Sequence, residues 1–131
     1  MDLTNLKREG NGTLDKLDDI FRLQEEFDSS LAESRNLRFS LEEWVQKEVL
    51  AMLSELGEIL DEVNFKWWKN PQPVERERLT EELVDLLHFF VSMCIKVGIT
   101  PKMLHEAYVK KNYENRLRQA GLSDRQGYKP A

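Results

Sequence analysis

The chain has 131 residues, of which 40% are hydrophobic and 33% charged, with a net charge of −5 and a pI of about 5.2. That length suits one domain with a modest core, and that composition argues against disorder. The acidic balance leaves no electrostatic footprint for duplex DNA, so no nucleic-acid partner is expected. No apolar stretch reaches the roughly 20 residues of a membrane span, so no membrane partner is expected either. Met1-Asp2-Leu3-Thr4 has neither the basic nor the apolar region of a secretory leader, and a cytoplasmic location is the expectation. Cys94, the only cysteine, lies in an apolar run and reads as a buried thiol without an internal disulfide partner.

Residues 1–12 are polar, include Gly10-Asn11-Gly12, and read as a flexible arm. A first helix is expected from about Leu14 to Ala32, where Leu14, Leu17, Ile20, Phe21, Leu23 and Phe27 form an amphipathic stripe. After a polar connection from Glu33 to Phe39, Ser40-Leu-Glu-Glu43 forms a capping box that opens a second helix, expected to reach about Lys66. At about 100° of rotation per residue, Val49, Leu53, Leu56, Leu60 and Val63 gather on one side of it, and Glu55 and Glu58 lie at the border of that side. Trp67-Trp68-Lys69-Asn70-Pro71-Gln72-Pro73 cannot continue a helix. A third helix is expected from near Thr80 to Val97, stopped by Gly98. Its apolar residues run nearly all round, which predicts a central, buried helix. Thr100-Pro101 supplies an N-cap and an N1 proline for a fourth helix to about Gln119. The expected organisation is an arm at 1–12, one all-α domain at 13–120 and a tail at 121–131. No strand pattern, repeat or low-complexity tract is present.

The residues that carry chemistry are two acid pairs, Glu55-Leu-Gly-Glu58 and Glu82-Leu-Val-Asp85. Each has i,i+3 spacing, so its members share a helix face. Carboxylates gathered on buried helices repel one another unless a cation intervenes, and an all-oxygen donor set suits a hard divalent ion, magnesium first. Such ions complete their shells with phosphate oxygens, which predicts a phosphate-bearing substrate. The alternative is that these are solvated acids on amphipathic helices. On the fourth helix Lys111, Asn115 and Arg118 fall at i, i+4, i+7, a face able to neutralise phosphates; a solvated basic helix end is the alternative. Trp67 and Trp68 offer an apolar slot for a planar base, or else packing against the core or a second copy. His88 and Gln24, taken by composition alone, read as a satisfied core histidine and an ordinary surface glutamine.

Together these segments resemble the all-α nucleoside triphosphate pyrophosphatases, which include the MazG-like proteins, and most closely the dimeric dUTPases. The resemblance runs through Leu23-Gln24, Glu55-Leu-Gly-Glu58, Phe65-Lys66-Trp67-Trp68 and Glu82-Leu-Val-Asp85-Leu-Leu-His88-Phe89. It continues in Lys111-x-x-x-Asn115-x-x-Arg118-Gln119 and ends at Gly127-Tyr128, covering roughly residues 18–128. The chain lacks the long insertion that some members carry in the second half, and has a longer spacing before Gly127-Tyr128, where Arg125-Gln126 supplies a second Arg-Gln.

The resemblance implies an all-α fold with a four-helix core assembled as a homodimer. It implies hydrolysis of dUTP, and often dUDP, to dUMP and pyrophosphate with two or more Mg2+ ions, for which Mn2+ can substitute. Glu55, Glu58, Glu82 and Asp85 would hold the metal, and Glu55 would orient or deprotonate the attacking water. Gln24 and Trp67 would line the uracil pocket, and His88 would sit near the deoxyribose. Lys111, Arg118 and Tyr128 would hold phosphates, Asn115 would lie at the nucleotide, and the tail would close over the substrate. The rival expectation is a MazG-like pyrophosphatase acting on dCTP or another non-standard nucleotide. A second rival is an inert helical interaction module.

Overall fold

The computed structural model describes residues 15–125; the readings made on the arm and on Gly127-Tyr128 lie outside them. Four helices follow in order: α1 (Lys16–Arg35), α2 (Leu41–Glu62), α3 (Arg76–Val97) and α4 (Pro101–Gln119). The described residues contain no strand, so the fold is all-α. No single helix among them is long and apolar enough to cross a membrane.

The helix ends follow from local chemistry. Asp15 caps α1 by accepting a 2.9 Å hydrogen bond from the Asp18 N–H, and Asn36 closes it in the left-handed region at φ 52°. The capping box of α2 is present in both directions: Ser40 Oγ accepts from the Glu43 N–H at 3.2 Å, and Glu43 accepts from the Ser40 N–H at 3.3 Å. Gly98, at φ 89°, ends α3, and Thr100 Oγ1 accepts from the Met103 N–H with Pro101 opening α4.

Three boundaries differ from expectation: α1 runs on to Arg35, three residues past Ala32, and both flanks of the α2–α3 connection shift. Helix α2 stops at Glu62, four residues before Lys66, because Asn64 turns left-handed at φ 60°. Its side chain then clamps the connection: Nδ2 donates to the Gln72 carbonyl and Oδ1 accepts from the Gln72 N–H, both at 2.8 Å. Helix α3 starts four residues before Thr80. The Thr80 hydroxyl does not cap it but donates back to the Arg76 carbonyl at 2.7 Å, one turn earlier.

The chain divides after Gly98 into two compact units, α1–α3 and the segment carrying α4. Within the first, α3 packs against both α2 and α1, the central position its apolar composition predicts. Its burial, however, is not all-round. Val91, Ser92 and Cys94 are buried, whereas Leu83, Val84 and Leu87 are exposed. The apolar stripe of α2 is exposed too, with Leu53 58% accessible beside Val49, Leu56, Leu60 and Val63. One copy of three helices covers α3 on only part of its circumference.

Candidate active site

The acid pairs converge as their spacing predicts. Helix α2 presents Glu55 and α3 presents Glu82 and Asp85, so that one carboxylate oxygen of each lies within 4.8 Å of the others. Glu58, one turn after Glu55, approaches closely enough for its carboxyl to share a proton with Glu55 and Glu82. Among the described residues Oε2 of Glu55 and Oε2 of Glu82 are shut off from water and receive no hydrogen bond. A buried acceptor without a donor is uncommon. Here the near neighbours are other carboxylates, which can satisfy it only by trapping a proton between them.

The titration behaviour follows. Glu82 is pushed up from 4.5 to about 7, first by its hydrogen bond with Glu58, then by loss of water and by Glu55. Glu55 is also raised, chiefly by loss of water and then by the neighbouring Glu58 and Asp85 charges. Three or four acids compressed into one place, with orphaned oxygens and no nitrogen or sulfur donor, fit a hard divalent cation. Glu55, Glu82 and Asp85 would hold it, with Glu58 beside them.

Glu55 and Asp85, but not Glu58 or Glu82, line a cleft of about 490 Å3 formed by α1, α2 and α3. Gln24 and His88 line the same cleft, as do Phe27, Trp44 and Phe89. Gln24 is not an ordinary surface residue: it is 8% exposed and its Nε2 donates to Asp28 Oδ1 at 2.9 Å. Nor is His88 a satisfied core histidine, since it is exposed at the cleft. Trp67 does not line the cleft. It sits in the connection after α2, 85% exposed, edge-on to Trp68 with ring centroids 4.6 Å apart.

The far end of the cleft carries a polar network that the sequence reading did not assemble. Ser92 Oγ lies 2.7 Å from Asp28 Oδ2 and 2.8 Å from Glu48 Oε1. Lys96 Nζ donates to Glu48 and, at 2.7 Å, to Ser92 Oγ, and lies 3.9 Å from the centroid of the Trp44 ring. Gln24, Glu48 and Ser92 are all buried. A helical signal for half of this existed: Asp85, Phe89, Ser92 and Lys96 follow one another at three- and four-residue steps along α3.

Helix α4, in the second unit, carries Lys111, Asn115 and Arg118. Lys111 is exposed and lines a shallow concavity with Lys110, Tyr113 and Arg125. Arg118 Nε donates to Glu114 at 3.2 Å, and Ser123 Oγ donates to the same carboxylate at 2.5 Å. Those two bonds, Ser123 first, hold the Glu114 carboxyl below its usual range. Oδ1 of Asn115 is buried without a donor among the described residues. Tyr128 lies outside the described residues.

No curated protein and no solved structure matches the chain. A protein family does: dUTPase, over residues 16–104, from the first residue of α1 into α4. The match spans most of the chain and contains both acid pairs, Gln24, Trp67 and His88. With carboxylates from two helices converged at the mouth of a cleft wide enough for a nucleotide, the chain belongs to the dUTPase family, enzymes that hydrolyse dUTP to dUMP.

Proposed function

We propose that the chain hydrolyses dUTP at the acid end of the α1–α2–α3 cleft with Mg2+, held by Glu55, Glu58, Glu82 and Asp85. The observation that carries this is the pair of orphaned buried carboxylate oxygens, on Glu55 and Glu82, inside an all-oxygen cluster. An ion there supplies positive charge against the phosphate oxygens and makes a neighbouring water more acidic. Two or more ions, with Mn2+ as a substitute, suit four carboxylates better than one.

In this reading Glu55 takes the proton of the attacking water. Its Oε2 receives no hydrogen bond among the described residues, so it is free to accept one from a water. Gln24 meets the edge of uracil and His88 lies along the deoxyribose, both lining the cleft that ends at the acids. Trp67, which does not line this cleft, is given no contact with the base. On the family resemblance alone, Lys111 and Arg118 are proposed as phosphate-binding residues, and Asn115 and Tyr128 as nucleotide-binding ones.

Comparing dUTP, dUDP, dCTP, dTTP and dATP with Mg2+, by pyrophosphate or phosphate release, tests the base and the leaving group. The expected result is turnover of dUTP well above the other triphosphates. Preference for dCTP would replace this reading with that of a MazG-like pyrophosphatase.

A homodimer is part of the proposal. The exposed stripe of α2, Leu53, Leu56 and Leu60, and the exposed Leu83 and Leu87 of α3 leave apolar side chains open to water on both helices. A second copy covers them most simply. Light scattering coupled to size exclusion is expected to give twice the 15.5 kDa chain mass, and a monomer would refute the pairing. A cytoplasmic setting is likewise proposed, and the free, buried Cys94 is compatible with a reducing compartment.

A further inference from the structure

The end of the cleft remote from the acids is built around Asp28, a residue to which the catalytic proposal gives no task. Its two oxygens are occupied by different donors. Oδ1 accepts from Gln24 Nε2 at 2.9 Å, one turn back on α1, and Oδ2 faces Ser92 Oγ of α3 at 2.7 Å. The direction of the second bond follows from proton counting. A serine hydroxyl has one proton, and Ser92 sits between two carboxylates. Glu48 already accepts a hydrogen bond from Lys96, and Lys96 also donates to Ser92. Asp28 Oδ2 has Ser92 as its hydrogen-bond donor, with Lys96 Nζ 3.9 Å away, so the Ser92 proton is best used on Asp28. Donation runs from Lys96 to Ser92 to Asp28, while Gln24 donates to Asp28 from the other side.

A carboxylate is an acceptor only, so the Gln24 atom against Asp28 is the nitrogen. Turning the amide over would set its oxygen against a carboxylate oxygen and lose the bond. Gln24 is thus held in one of its two amide orientations inside a site where it is 8% exposed. Among the described residues its Oε1 receives no hydrogen bond, and one N–H remains, so a fixed acceptor–donor pair is left for a ligand in the cleft.

That matters because uracil and cytosine differ in the sense of their edges. Uracil offers N3–H between two carbonyls. Cytosine offers a bare N3 beside an amino group. A free glutamine amide serves either base by turning over; a locked one serves only the base whose edge matches.

We infer that Asp28, braced by Ser92 and Lys96, is a positioning residue that locks the Gln24 amide and so selects pyrimidines bearing N3–H over cytosine. The inference rests on the assignment of Gln24 to the base. Wild-type enzyme, Asp28→Asn and Gln24→Ala are assayed with dUTP and dCTP at saturating Mg2+, reading kcat and KM separately. Asparagine can meet the Gln24 amide as donor or acceptor and so releases the lock. The dUTP-to-dCTP ratio of kcat/KM is expected to fall about 10- to 100-fold in Asp28→Asn. KM for dUTP should rise by more than its kcat falls, and dCTP turnover should increase. A parallel loss for both nucleotides with the ratio unchanged overturns the inference. If Gln24→Ala also leaves the ratio unchanged, the assignment of Gln24 to the base falls with it. If Gln24→Ala changes the ratio and Asp28→Asn does not, only the lock is wrong. Should Asp28→Asn fail to fold, Ser92→Ala removes one donor to Asp28 and repeats the test, with an expected fall of about 3- to 10-fold. An unchanged ratio there overturns the inference as well.

Discussion

Replacing Glu55 by glutamine is expected to lower kcat for dUTP by at least about 10^2- to 10^4-fold, the range lost when a positioned general base is removed. Glutamine keeps the length of the side chain and fills the same place between α2 and α3, but it cannot take a proton and carries no charge toward a cation. The fold should not suffer. Glu55 already has an oxygen without a donor, and its charge sits against Glu58 and Asp85, so losing that charge relieves repulsion. The expected outcome is an inactive protein whose helical signal melts at or above the wild-type temperature. Steady-state turnover at saturating Mg2+ together with thermal denaturation checks both halves. Turnover at the wild-type rate would remove Glu55 from the chemistry.

The second large effect concerns Glu82 and pH. Its folded value of about 7 stands above the ordinary 4.5. The folded state therefore holds a proton that the unfolded state releases, between roughly those two values. Stability from this group is fully present below the unfolded value and is lost as pH rises through the folded one. Metal-free protein should accordingly melt at falling temperatures between pH 4.5 and 7 on account of Glu82. Glu82→Gln should flatten that fall and raise the midpoint at pH values above 7. Metal binding should reverse the trend, because carboxylates must lose their protons to bind it. In Glu82→Gln the gain in midpoint on adding Mg2+ should shrink strongly, together with activity. Melting curves with chelator and with Mg2+, across pH, measure all of this. A metal-free midpoint insensitive to Glu82→Gln would mean that the acids are not compressed in solution.

Much of this site was legible in the sequence because its determinants are local. The i,i+3 spacing of each acid pair fixes a shared helix face, and the capping box at Ser40, Gly98 and Thr100-Pro101 announces the helix ends that aim the pairs at each other. Side chains defined by distant partners were not legible. Gln24 is buried with its amide donating to Asp28, and Asp28 is set by Ser92, 64 residues away in sequence. Glu48 is buried beside the same serine across 44 residues. The early start of α3 was hidden for another reason: Arg76-Glu-Arg78 is a charged first turn with no apolar periodicity. The exposed stripe of α2 shows the limit of reading an apolar face as a core face. Periodicity says that a side is apolar, not which chain covers it.

The pair of bonds between the Asn64 amide and the backbone of Gln72 closes a short loop, and short loops lose little chain entropy on closure. The tryptophans it carries, 85% and 59% exposed, are thus displayed on a segment tied down by its own sequence neighbours. Whatever comes to cover Trp67 and Trp68 meets a surface already in place, and the free energy of contact is not spent on organising the loop.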